Sequence, residues 1–370
     1  MHNVRRLLSQ VFQPWSVTLM VGLVYLLVIL FLHGGNPLTW IVLPEPPSEA
    51  NPSGTTGYDG QFTYAIALNV ADSPPLLDVP AYRLQRILLP VLAGLLSFGQ
   101  PALVPWAIAL INLASLAAGV WCLQTLLRDE KISPWFSLVY GLFPGVLMAA
   151  RLSLNEPLAY GLVLAAVLSE RRGRAWWSAM LLALASLAKE TTLAFVLGYM
   201  LWMALHRRWR DLIRLGGAAW GVFLAWQAIL YLWLGQIGIG SGGRFGTPFE
   251  LVPYGGLWRI YWDTGSLRIL LVFAAVLIPT AVFPSIWGIV HGIRDLVRRS
   301  WHPYSALLLA NAAVIMITPY STFRELFAMQ RFMAGLVISV LLYSAHTRRL
   351  RMLLYSVIWL TTLVMVISGG

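Results

Sequence analysis

The sequence predicts an all-α polytopic membrane protein, and three observations predict it. Of 370 residues, 58% are hydrophobic and only 11% charged, whereas soluble domains carry about 25% charged residues. The mean hydropathy is +0.72. Apolar stretches close to the roughly 20 residues that cross a bilayer recur along the chain, and Lys and Arg concentrate in alternate connections between them. The chain reads as one transmembrane domain over residues 1–370.

Eleven spans are expected, at about 15–33, 103–127, 134–150, 157–169, 175–188, 191–205, 212–235, 266–290, 303–320, 328–344 and 352–367. The first follows "HNVRR" and precedes "HGGNP", which lacks a small-residue cleavage site, so it reads as a span and not a leader. Several middle spans are short, which suits helices that tilt or flank an aqueous cavity. The apolar segment 87–98 is shorter still and is expected to be re-entrant or interfacial.

Charge placement sets the orientation. With the N-terminus inside, the inner segments hold "RR" at Arg5, "RDEK" at Arg128, "ERRGR" at Glu170, "HRRWRDLIR" at His206, "RDLVRR" at Arg294 and "RRLR" at Arg348. That places 17 of the 26 Lys and Arg inside, the bias the positive-inside rule demands. The net charge of +11 is therefore topological, and no nucleic acid is expected as a partner. Two long loops, about 34–86 and 236–265, then lie outside. So do ten of the 15 acidic residues, Glu49 and Asp263 among them.

Composition excludes some chemistry. A lone Cys122 forbids an internal disulfide, and six scattered His form no HExxH pair, so no metal or cofactor is expected. "GQIGIGSGGRFGTPFE" fits neither nucleotide-binding glycine pattern and reads as a mobile flap over 238–246.

The chemistry-bearing residues collect on the outer side. In "GYDGQFTYAIALNV", Asp59 precedes residues at helical spacing. One reading makes it an N-cap; the other makes it a catalytic carboxylate, flanked by Tyr58 and Gln61. Asp72 and Asp78 follow in the same loop. "DVPAYRLQRILLPVLAGLL" sets Arg83 and Arg86 one turn apart, either snorkelling to headgroups or gripping phosphate. In "RLSLNEPLAY", Asn155 and Pro157 suit a helix start, but capping does not require Glu156. Lys189 and Glu190 are adjacent, point apart on a helix, and are expected to reach separate partners in a shared cavity. "STFRELFAMQRFM" places Arg324 and Arg331 seven apart, on one helical face if the helix is continuous. They are expected to line a ligand path or to pair with Glu325 or another outer acid.

"GYDGQFTYAIALN", "PAYRLQRILLPVLAGLL", "SLNEPLAYGLVLAAVL" and "ALASLAKETTLAFVL" together resemble the GT-C superfamily of integral membrane glycosyltransferases. The nearest likeness is to bacterial relatives of the GPI mannosyltransferases and of the polyprenyl-phosphate-mannose-dependent mannosyltransferases. It covers about residues 15–205 and thins afterwards. The resemblance implies a GT-C-like bundle in the bacterial plasma membrane, with amphipathic juxtamembrane helices at 60–71 and 87–98. It implies a polyprenyl-phosphate sugar donor, membrane lipids as surroundings, and a glycan, glycolipid or protein acceptor. Asp59 stands where the superfamily has its catalytic base, as a single Asp and not an acidic pair. Inverting transfer needs such a base and cations for the departing phosphate. Arg324, Arg331, Arg83, Arg86 and Lys189 are the candidates for the phosphate. Tyr58, Gln61, Asp72, Asp78, Glu156 and Glu190 are the candidates for sugar or acceptor. The alternative is a transporter or flippase for a lipid-linked glycan, which would be expected to show internal repeats and midplane charges.

Overall fold

Prolines break one of the expected apolar stretches and distort another. The computed structural model describes residues 12–45, 54–243 and 246–364; Arg5, Glu49 and Arg244 lie outside these. The principal helices are α1 (Pro14–Leu32), α2 (Gly60–Leu68), α3 (Pro80–Leu84), α4 (Leu88–Leu96), α5 (Val104–Asp129), α6 (Pro144–Arg151), α7 (Glu156–Arg171) and α8 (Ala175–Ala188). They continue as α9 (Leu193–Leu205), α10 (Trp209–Leu234), α11 (Gly255–Thr264), α12 (Leu267–Leu277), α13 (Phe283–Val297), α14 (Pro303–Met316) and α15 (Leu326–His346). The only strands among the described residues are the antiparallel pair Pro44–Glu45 and Thr55–Thr56.

Five helical runs are long and apolar enough to cross a membrane: Pro14–Leu32, Pro101–Asp129, Trp209–Leu234, Leu267–Val297 and Leu326–His346. The chain thus has the build of an integral membrane protein. Helix length accounts for five of the eleven expected crossings; the other expected spans are shorter helices or fragments. The stretch expected at 134–150 is three pieces, Pro134–Ser137, Leu138–Gly141 and α6. Pro144 breaks it by holding Phe143 in an extended conformation, φ −63° and ψ 125°. At Ile278–Val282 one π turn joins α12 to α13, and it contains Pro279. Pro284, with no N–H, cannot bond the carbonyls one turn before it, and these are captured from elsewhere: Tyr355 Oη donates to Pro279 O at 2.7 Å and Trp359 Nε1 to Thr280 O at 2.8 Å. The loop expected at 236–265 contains α11, whose Trp258 and Trp262 are exposed. The segment expected to be interfacial, 87–98, forms the nine-residue α4.

The core is built around α15, buried along most of its length, against α6, α14 and α13. Helices α5, α7 and α8 pack side by side next to it. The charges separate to the two ends. At one end, Arg171 pairs with Glu130 at 3.2 Å and Arg172 with Asp129 at 3.0 Å. There Arg128 donates to Gln13 Oε1 and Arg348 to the Lys131 carbonyl. The other end of α7 begins with Glu156, about 22 Å away at 1.5 Å per residue.

Candidate active site

Two close backbone approaches assemble the site. A Cβ on Gly60 would collide with the Leu152 carbonyl, so only glycine lets the start of α2 lie on the turn after α6. A Cβ on Gly145 would collide with the backbone of Gln330 and Arg331, so α6 lies directly on α15. Together they carry Asp59, Glu156 and Arg331 into one cluster.

Asp59 occupies the N-cap position of α2 but makes no side-chain cap hydrogen bond. Its carboxylate instead accepts from Arg83 Nη1 on Oδ1 and from Arg331 Nη1 on Oδ2, both at 2.8 Å. The capping reading is therefore not realised. Arg83 grips Asp78 with Nε and Nη2, each at 2.8 Å. Arg331 also donates through Nε to Glu156 Oε1 at 2.6 Å, and Lys189 Nζ donates to that same oxygen. Arg86 holds Glu190 with Nε at 2.8 Å and Nη2 at 2.6 Å, and Nη2 donates to Tyr82 Oη at 3.1 Å. Four carboxylates and four cations thus neutralise one another, largely out of water. The rings of Phe62 and Tyr82 lie 4.2 and 5.2 Å from the Arg83 guanidinium, adding cation–π contacts.

Accessibility separates the carboxylates. The Asp59 side chain keeps 30% exposure, against 24% for Asp78, 22% for Glu190 and none for Glu156. Burial alone would raise the Asp59 carboxyl, but the guanidiniums of Arg331 and Arg83 outweigh it and hold it well below the usual range. Burial likewise opposes, and Arg83 overcomes, the shift at Asp78, which is also lowered. Asp59, Arg83, Arg86 and Arg331, with Phe62 and Asn155, line a cavity of about 20 Å³. That is room for about one water.

The other expected residues fall as follows. Tyr58 Oη donates to Glu325 Oε1 at 2.5 Å and accepts from Arg331 at 3.1 Å, bridging the cluster to the start of α15. Glu325 is thus engaged by the tyrosine and not by Arg331. Lys189 and Glu190 reach separate partners, as their adjacency predicts. Arg83 and Arg86 bind acids and do not snorkel. Arg324 departs from expectation: α15 begins only at Leu326 after an extended Glu325, so Arg324 and Arg331 share no helical face. Arg324 is exposed and Arg331 buried. Asp72 binds Asn69 in a local turn at 2.7 Å, and Gln61 donates to the Thr56 carbonyl; neither lines the cavity. The described residues of the glycine-rich segment pack onto the fold. Gly238 N donates to Gln227 Oε1 at 2.7 Å, and Gly242 lies beside the Tyr82 ring.

Sequence reasoning took Asn155 for a helix cap and gave Arg151 no role of its own. Asn155 has the N-cap position of α7 but makes no cap bond; among the described residues its Oδ1 has no partner, and the residue lines the cavity. Arg151 is buried, pairs with no carboxylate among the described residues, and its Nε has no partner. A cation at the end of an apolar stretch, in "RLSLNEPLAY", was the available signal for the second. Among the described residues no group of His, Cys, Asp and Glu is arranged to hold a metal ion. Comparison with protein-family models, with curated proteins and with solved structures finds no match to this chain.

Proposed function

We propose that the chain is a polyprenyl-phosphate-sugar-dependent glycosyltransferase of the inverting kind, with Asp59 as general base. One observation carries this reading: the most accessible carboxylate of a buried ion cluster is held by two arginines whose forks match a phosphate. A carboxylate held this far below neutral pH is ionised but a weak base. Arrival of the donor phosphate would change that. As Arg331 and Arg83 turn to the phosphate oxygens, Asp59 loses the cations that depress it and its basicity rises. It then takes the proton of the acceptor hydroxyl. The hydroxyl oxygen attacks the anomeric carbon from the face opposite the phosphate, and the bond from that carbon to the phosphate oxygen breaks. The electron pair leaves with the phosphate, stabilised by the arginines. Glu156 and Lys189 position Arg331, and Glu190 positions Arg86.

Opening is part of this reading, since a cavity of about 20 Å³ is far below the roughly 300–1,000 Å³ of ligand pockets. This reading takes its orientation from the positive-inside bias, with this end outside, the N-terminus inside and eleven crossings, and takes a plasma-membrane setting from the family resemblance. A transporter of a lipid-linked glycan is the second reading, favoured by the broken stretch before α6 and the π turn before α13.

The test is Asp59→Asn with native membrane extract as acceptor and a set of polyprenyl-phosphate sugars as donors. Loss of the base lowers turnover by about 10²–10⁴-fold with donor binding retained. Near-normal turnover removes Asp59 from the base role. Movement of a lipid-linked glycan without any sugar transfer establishes the transporter.

A further inference from the structure

The end of the bundle remote from Asp59 holds the larger cavity, about 480 Å³. It is formed where α7 and α9 end, where α8 and α14 begin, and by the turns next to them. Tyr199, Trp202, Trp301 and Tyr304 supply aromatic walls. Among them stands Glu170, whose side chain is 12% exposed. Among the described residues its carboxylate accepts no hydrogen bond, and Oε2 is buried without a partner. Its nearest cation, Arg208 Nη2, stays at 3.8 Å, beyond hydrogen-bond reach. Trp301, also in the wall and 91% buried, leaves its Nε1 without an acceptor among the described residues. A carboxylate and an indole N–H left unsatisfied in one cavity wall are costly unless something else supplies a donor and an acceptor.

The rim adds the complementary charge. Arg171 and Arg208 line the cavity with side chains 40% and 38% exposed. Arg208 is steadied over the Trp202 ring at 4.8 Å and by Asp211 at 2.6 Å, yet its fork has donors to spare. Beside the rim, Trp176, Trp177 and Trp209 are exposed, on the turns that carry Ala175 and Arg208. Exposed tryptophans at the ends of apolar helices mark the level of lipid headgroups.

We propose that this cavity binds the headgroup of a zwitterionic phospholipid carrying a primary ammonium, of the ethanolamine type. The ammonium enters deepest, donating to Glu170 among the aromatic walls, where ring faces also attract a cation. The phosphate stays at the rim with Arg208 and Arg171, and the acyl chains leave past the exposed tryptophans. An anionic headgroup without the ammonium leaves Glu170 unsatisfied and meets its charge.

The probe lipids are phosphatidylethanolamine and phosphatidylglycerol of matched chains, titrated onto the purified full chain in a neutral detergent and read by native mass spectrometry. Wild type is expected to bind the ethanolamine lipid about tenfold or more tightly over the glycerol lipid, the scale of one charged hydrogen bond. Glu170→Gln, nearly isosteric, removes that preference, and Arg208→Gln weakens both lipids while leaving the preference. Soluble O-phosphoethanolamine separates the headgroup from the membrane lipid. Equal binding of the two lipids to wild type, or an undiminished preference in Glu170→Gln, overturns the proposal. So does binding of O-phosphoethanolamine without binding of the lipid.

Discussion

At the Asp59 end, four carboxylates and four cations are buried against one another around room for about one water. At the opposite end, half-exposed arginines meet acids at helix termini around a cavity of about 480 Å³. The two arrangements obey the same electrostatics with different outcomes. Buried ions surrender hydration, so each depends on its partner, and removal of one strands the others. Exposed pairs keep their water and lose little when broken. A network that is neutral only as a whole is also one that a charged ligand can reorganise, by offering a phosphate where a carboxylate stood. Charge taken out of water with no gain that packing alone would explain marks the Asp59 end as the place to seek chemistry.

The sharpest way to break this comparison is Glu156→Gln. Glu156 is fully buried and serves both Lys189 and Arg331. Its neutralisation leaves two cations without their acid and is expected to destabilise the fold by about 3–5 kcal/mol. Thermal unfolding in detergent measures this, and a loss under 1 kcal/mol would show that the cluster is wetter than its geometry implies. Arg331→Lys is next. It keeps the charge but not the fork, so donor binding is expected to weaken about tenfold or more, read by titration with a polyprenyl-phosphate sugar.

A pH series sharpens the contrast further. Asp59 and Asp78 are held below their ordinary range in the folded protein, so the stability they contribute is fully present above the unfolded carboxyl pKa of about 4. It is lost as pH falls from there toward the folded values. The unfolding temperature should therefore be flat near neutrality and decline below about pH 4, with a shallower decline in Asp78→Asn. The smallest effect is expected at the other end. Asp129→Asn removes the acid facing Arg172, whose side chain is 49% exposed, and should cost about 0–1 kcal/mol, with no change in transfer.

The membrane class and the gathering of acids away from the basic turns were legible, because hydropathy and charge placement are properties of the chain itself. The divergence of Lys189 and Glu190 was legible too, since neighbours on a helix point apart. What sequence could not supply was contact across distance. Asp59 looks like a cap because capping is local, while its real partners lie 24 and 272 positions away. The spacing of Arg324 and Arg331 misled because it assumes a helix running through both, and an extended Glu325 interrupts it. Pro144 was visible in the apolar stretch, yet only the close seat that Gly145 gives α6 on α15 explains why the break is tolerated. The cavity at the basic end had no signal beyond scattered aromatic residues in three separate turns.

The proposed transfer turns on an exchange of partners, with Arg331 and Arg83 leaving Asp59 for the donor phosphate. A cryo-EM structure of the full chain with a non-transferable polyprenyl-phosphonate sugar measures that exchange directly. It should show both guanidiniums on the phosphonate oxygens and the Asp59 carboxylate released toward a widened cavity. A bound phosphonate elsewhere, with both arginines still on Asp59, would contradict it.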